Sequence, residues 1–133
     1  MEIFFTEPVP LLVETLAALA IAVIVVVGYR KNIFLSRFAL VSMGIEVIYT
    51  VGFLAYKYFS GAITAGIAKE AHYALLASVH GIISLVAIIA MLVLFPRAYK
   101  HYSGGENFFK KHSVQSVTLV ALWIIALGTG LFL

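Results

Sequence analysis

Two carboxylates and one imidazole fall well inside long apolar runs of this 133-residue chain: Glu14, Glu46 and His80. These are the side chains with which proteins take up, hold and pass protons near neutrality, and the same groups bind cations or orient a ligand. A charged group in hydrocarbon costs at least about 2.5–3.5 kcal/mol on insertion scales, so one kept there faces the bundle interior and has a partner or a task. Tyr49 lies three residues beyond Glu46 on nearly the same helical face, and His72 and Tyr73 lie two turns before His80. The chain has no cysteine, which excludes disulfides, thiolate metal sites, iron–sulfur clusters and thiol nucleophiles.

The elements that carry these residues follow from composition and length. With 63% hydrophobic and 11% charged residues, the chain cannot cover a soluble fold with polar surface, so one integral membrane domain is expected. A span needs roughly 20 apolar residues. Four runs meet that length, about Pro8–Tyr29, Phe38–Phe59, Ala71–Pro96 and Ser113–Leu133, and their short connections predict an all-α, antiparallel four-helix bundle. Glu2, Glu7 and Glu14 replace the basic start of a secretory signal, so the first run reads as a retained helix. Gly61 and Gly66, and Ser103-Gly104-Gly105, mark exposed connections.

Arg30, Lys31 and Arg37 lie in the first loop and Arg97, Lys100, Lys110 and Lys111 in the third, against Lys57 and Lys69 around the second. By the positive-inside rule the first and third loops are cytoplasmic and both termini outside, the membrane expected being a plasma membrane of prokaryotic type. The same distribution accounts for the net charge of +3 without nucleic-acid binding. Counting from the outer face at about 1.5 Å per residue, Glu14 lies roughly 9 Å deep, His80 roughly 13 Å and Glu46 roughly 18 Å. The three can share one outer-half site, with Glu46 and His80 expected at its centre, Glu14 third and Tyr49 as a hydrogen-bonding neighbour. Whether the carboxylates are ionised depends on the balance of desolvation against a nearby imidazole.

Structural roles compete with functional ones at each position. Glu14 is also compatible with a place near the membrane interface, and Glu46 with a purely structural bond to His80, since buried polar groups tie membrane helices together. His72 and His101 read as interfacial. Tyr29, Tyr56, Tyr58, Tyr99 and Tyr102 read as an aromatic belt. Trp123 falls mid-helix, where packing is its ordinary role, and Gly44, Gly52, Gly128 and Gly130 read as sites of close helix contact.

From Ser78 onward, the segments SVHGIISLVAIIAMLVLFPRAY and FFKKHSVQSVTLVALWIIALGTGLF place a histidine early in one helix, a histidine beside basic residues at the start of the last, a tryptophan eleven residues on, and a Thr-Gly pair near the end. In these features, His80, His112, Trp123, Thr129 and Gly130, the chain resembles the small helical membrane proteins grouped as domain of unknown function 420, the YozB/CtaM-like family. The segment RFALVSMGIEVIYTVGFLAYKYF is similar in rhythm to the preceding family helix. The resemblance implies a role beside haem–copper respiratory oxidases, in their assembly or function, with histidines contacting haem or copper. The family's histidines before and at the outer end of the second helix are matched here by Ser36-Arg37 and Tyr56-Lys57-Tyr58, which are poor substitutes for a neutral imidazole. His80 and His112 are separated by roughly 24 Å along the membrane normal and cannot ligate one metal. A metal or haem site would therefore use His80 with Glu46 or Glu14, or His112 with loop groups such as His101.

Three function classes stand on the sequence: a membrane factor of the respiratory-oxidase type, a proton- or cation-handling protein built on Glu14, Glu46 and His80, and a structural subunit partnered with other membrane proteins or with copies of itself. No HExxH, GxSxG, Walker or paired-cysteine motif points to an enzyme.

Overall fold

The computed structural model describes residues 9–60 and 71–132, the side chains of 71–73 excepted. Helix α1 spans Val9–Lys31, α2 Ser36–Phe59, α3 Ala71–Ser103, a one-turn α4 Phe108–Lys111, and α5 Ser113–Gly130. The four long helices are each long and apolar enough to cross a membrane. Each packs against two neighbours, α1 on α2 and α5, α3 on α2 and α5. The result is a ring of four antiparallel helices, with α1 and α3 on one diagonal and α2 and α5 on the other.

The two ends of the ring are built differently. At the end carrying the seven cations of the first and third loops, Phe34, Phe95, Tyr102, Phe108 and Phe109 form an aromatic plug. Phe34 stacks on Tyr102 at 5.8 Å between ring centres and meets the edge of Phe95 at the same distance. Phe109 packs against Phe95, Tyr102 and Phe108. Phe95, Phe108 and Phe109 are fully buried. Gly28 lets α1 approach this plug, since a Cβ there would stand 2.5 Å from Phe109 Cδ2.

Asn107 fastens the plug to the helices. Its side chain accepts from the Tyr102 hydroxyl at 2.7 Å and from the Lys110 amide at 3.1 Å, capping α4, and donates to the Tyr29 carbonyl at 3.0 Å. Asn32, in the left-handed region at φ 53°, closes α1 through its amide to the Gly28 carbonyl.

Several sequence expectations are corrected. The third helix does not end at Pro96 but runs to Ser103 with the proline inside it. Proline removes one helical hydrogen bond, yet Ala98 and Tyr102 beyond it pack into the plug and hold the last turns in place. Phe108-Phe109, read as part of a connection, forms a core helix. Tyr102 belongs to the plug rather than to a belt, whereas Tyr29, Tyr58 and Tyr99 are exposed. Gly44 and Gly128 face open space instead of a close helix contact.

Candidate functional site

Opposite the plug, where α1 and α3 begin and α5 ends, the ring opens into a cavity of about 580 Å³ lined by all four long helices. Small residues make the room: Gly81 and Ser84 on α3 and Ala126 on α5 present little volume where the plug presents phenyl rings. Glu14, Glu46, Tyr49 and His80 all line it. Spacing of three and four residues puts Glu46, Tyr49, Thr50 and Phe53 on one face of α2, and His80, Ser84 and Ile88 on one face of α3.

His80 is held between two helices. Its Nδ1 lies 2.9 Å from Thr129 Oγ1 on α5, and its Nε2 lies 3.9 Å from Glu14 Oε1 on α1. Thr129 Oγ1 is also 3.0 Å from each of the Ile125 and Ala126 carbonyls. A hydroxyl has one proton to donate and a carbonyl can only accept. Thr129 therefore donates to its own helix and accepts from His80 Nδ1–H, which leaves Nε2 facing Glu14. Glu14 and Nε2 thus form a pair that can share one proton: a carboxylic acid beside a neutral ring, or a carboxylate beside an imidazolium. The gap exceeds direct hydrogen-bond length, so transfer requires a small rotation of Glu14 or one bridging water.

Gly130 is the residue that permits this approach. A Cβ at that position would lie 2.9 Å from Glu14 Oε2 and 3.0 Å from His80 Cε1. Glu46 faces the same cavity from α2, where Ala39 and Glu46 are the buried residues. Thr50 lies one turn along, and Glu46 is within electrostatic reach of Glu14. Tyr49 stacks on Phe53 with ring centres 6.2 Å apart.

Trp123 is 3% exposed and lines the floor of the cavity, and its indole N–H has no hydrogen-bond partner among the described residues. Ser84, which lines the same cavity from α3, has a buried Oγ that is also without a partner among the described residues.

The sequence picture is redistributed by these contacts. Glu46 and His80, expected as the central pair, line one cavity, but the groups that engage His80 are Glu14 and Thr129. His112, at the start of α5, lies about 26 Å from Thr129 along the helix axis. It packs against His101 and Phe108, with ring centres 5.9 Å and 4.7 Å away, and His101 Nδ1 donates to the Arg97 carbonyl. His101 is half-buried at this end of the bundle, with one ring face against Phe108. The side chains of His72 and Tyr73 lie outside the described residues. Ser84 and Thr50, absent from the sequence reading, stand one turn from His80 and Glu46, a spacing that would have found them.

No three His, Cys, Asp or Glu side chains converge among the described residues. On the cavity, His80 Nδ1 is bonded to Thr129 and Nε2 faces a carboxyl rather than an open slot. Scans against protein-family models, curated proteins and solved structures find no match.

Proposed function

We propose that this chain is a small proton-handling membrane protein, in which Glu14 and His80 share an exchangeable proton at one end of the bundle and Glu46 provides a second acceptor across the cavity. The observation that carries this is the Glu14–His80–Thr129 chain, whose donors and acceptors leave one proton unassigned between Nε2 and the carboxyl. The cavity supplies access at that end. The buried aromatic plug blocks the other end, so the site exchanges protons with one side rather than conducting them across. The seven cations grouped at the plug end favour an orientation with both termini outside a plasma membrane of prokaryotic type, the cavity facing outward.

Infrared difference spectra between two pH values test this directly. The expected result is a carboxyl C=O band that loses one component in Glu14→Gln and shifts in His80→Ala, while reconstituted liposomes leak protons no faster than lipid alone. A spectrum without carboxyl bands would overturn the proposal.

The respiratory-oxidase reading has one observation in its favour: His80 and Trp123, two of the positions that carry the family resemblance, line the same cavity, Gly130 lies against Glu14 and His80, and Thr129 bonds His80 there. In that reading the site serves a neighbouring oxidase without itself binding metal. Co-purification of a tagged chain with a terminal oxidase from native membranes tests it, and recovery of the chain alone would count against it.

A further inference from the structure

We propose that the groove between α1 and α5, at the plug end of the bundle, holds one anionic phospholipid with its phosphate on Arg30 and an acyl chain along α5. The groove has a volume of about 470 Å³ and is lined by α1 from Val25 to Arg30 and by α5 from Ser113 to Ile124. Polar and apolar parts are sorted by depth. Arg30 and Ser113 stand at the mouth, beside the cationic loops, and below them Val117, Val120, Ala121 and Ile124 form an apolar wall. From Ser113 to Ile124 the helix rises roughly 16 Å, about half of a ~30 Å hydrocarbon core. The groove is therefore one leaflet deep, the reach of an acyl chain whose headgroup lies at the mouth.

The mouth supplies what a phosphodiester needs. Arg30 is exposed, and its side chain makes no ion pair or hydrogen bond among the described residues. A guanidinium presents its donors in a fork that matches phosphate oxygens. The exposed Ser113 faces it from α5, which begins there with no side chain capping its first amides, so the positive end of the helix dipole adds to the same field. Charge then selects among occupants. Seven cations stand at this end of the bundle against one described carboxylate, Glu106, which is already paired with Lys111 at 3.2 Å. A second copy of the described residues would bring further cations and no free carboxylate to meet Arg30. A zwitterionic lipid adds its own cation to that field, whereas an anionic one does not. In the orientation proposed above, the mouth lies in the cytoplasmic leaflet, whose surface is anionic.

The experiment is native mass spectrometry of the full-length protein, released from maltoside micelles that contain equal amounts of phosphatidylglycerol and phosphatidylcholine with the same acyl chains. The expected result is one phosphatidylglycerol per chain, retained about tenfold over phosphatidylcholine. Arg30→Gln should erase that preference. Lys31→Gln removes the same charge from a residue that does not line the groove, and should leave the preference within about twofold, since a charge off the site acts only through the screened field. Ala121→Leu, which fills the groove without changing charge, should lower retention of both lipids. Equal retention of the two lipids by the wild type, equal loss in Arg30→Gln and Lys31→Gln, or unchanged retention in Ala121→Leu would each overturn the proposal. So would release of the lipid by an equal concentration of inorganic phosphate, which would assign the mouth to a free anion, or a lipid-free dimer, which would assign the groove to a second copy.

Discussion

Replacing Gly130 with alanine should damage the site while leaving the fold nearly untouched. The added Cβ would lie 2.9 Å from Glu14 Oε2 and 3.0 Å from His80 Cε1, where ordinary contact begins at 3.4 Å. Each group must therefore retreat by about 0.5 Å. Glu14 can do so by rotating a flexible side chain. His80 has less freedom, because its Nδ1 is bonded to Thr129 at 2.9 Å. Weakening that bond costs up to about 1 kcal/mol, and alanine in place of a helical glycine returns about 0.5–1 kcal/mol. The net change in stability should stay within about 1 kcal/mol, so the effect appears in the site. Gly128→Ala is the internal control, two residues away on the same helix with nothing within 4 Å of its Cβ. The assay is ¹⁵N NMR of the histidine side chains, with the His80 signals assigned by their loss in His80→Ala. The expected result is a shifted Nε2 signal in Gly130→Ala and a wild-type spectrum in Gly128→Ala. Indistinguishable spectra in the two variants would refute the placement of Glu14 and His80 against the end of α5.

Gly28→Ala should lower thermal stability in detergent by about 1–3 kcal/mol, the cost of overpacking, because Phe109 is fully buried and its ring cannot yield; a wild-type melting temperature would mean that the plug is looser than described. Asn107→Ala removes three hydrogen bonds that join α1, α3 and α4 and should cost about 2 kcal/mol, measured by the same melts, with a change under about 0.5 kcal/mol contradicting it. Glu46→Gln should delete a carboxyl band from the infrared pH difference, whereas Glu106→Gln, which breaks an exposed pair with Lys111 at 3.2 Å, should leave the spectrum intact and shift stability by less than about 1 kcal/mol. Equal effects of these two substitutions would remove any special role for Glu46.

The bundle was legible because runs of about 20 apolar residues have few alternatives, and the site was legible as an address because carboxylates and imidazoles in such runs are costly. The level of each residue along its helix was legible too, since the helix rise is fixed. What the sequence withheld was rotation about each helix axis. Glu14, Glu46 and His80 lie at similar depths on three helices, and depth alone does not say which carboxyl meets the ring. Contacts across helices decided it: Gly130 makes room beside His80 for Glu14, and Thr129 holds the other ring nitrogen. The plug was hidden for another reason. Phe108-Phe109 sits among basic loop residues, and Pro96 resembles a helix terminator, so local signals pointed away from a core that only the packing of Phe34, Phe95 and Tyr102 creates.

The central claim is that Glu14 and His80 hold one proton between them. Proton release on a rapid pH step, measured with a pH-indicator dye in weakly buffered medium for the wild type, Glu14→Gln, His80→Gln and the double variant, tests it most directly. The account predicts that the two releases are coupled: each single substitution moves the remaining residue's release to a different pH, so that the two single losses do not sum to that of the double variant. Additive losses, one from each residue, would contradict a shared proton and leave two independent groups that only happen to face one cavity.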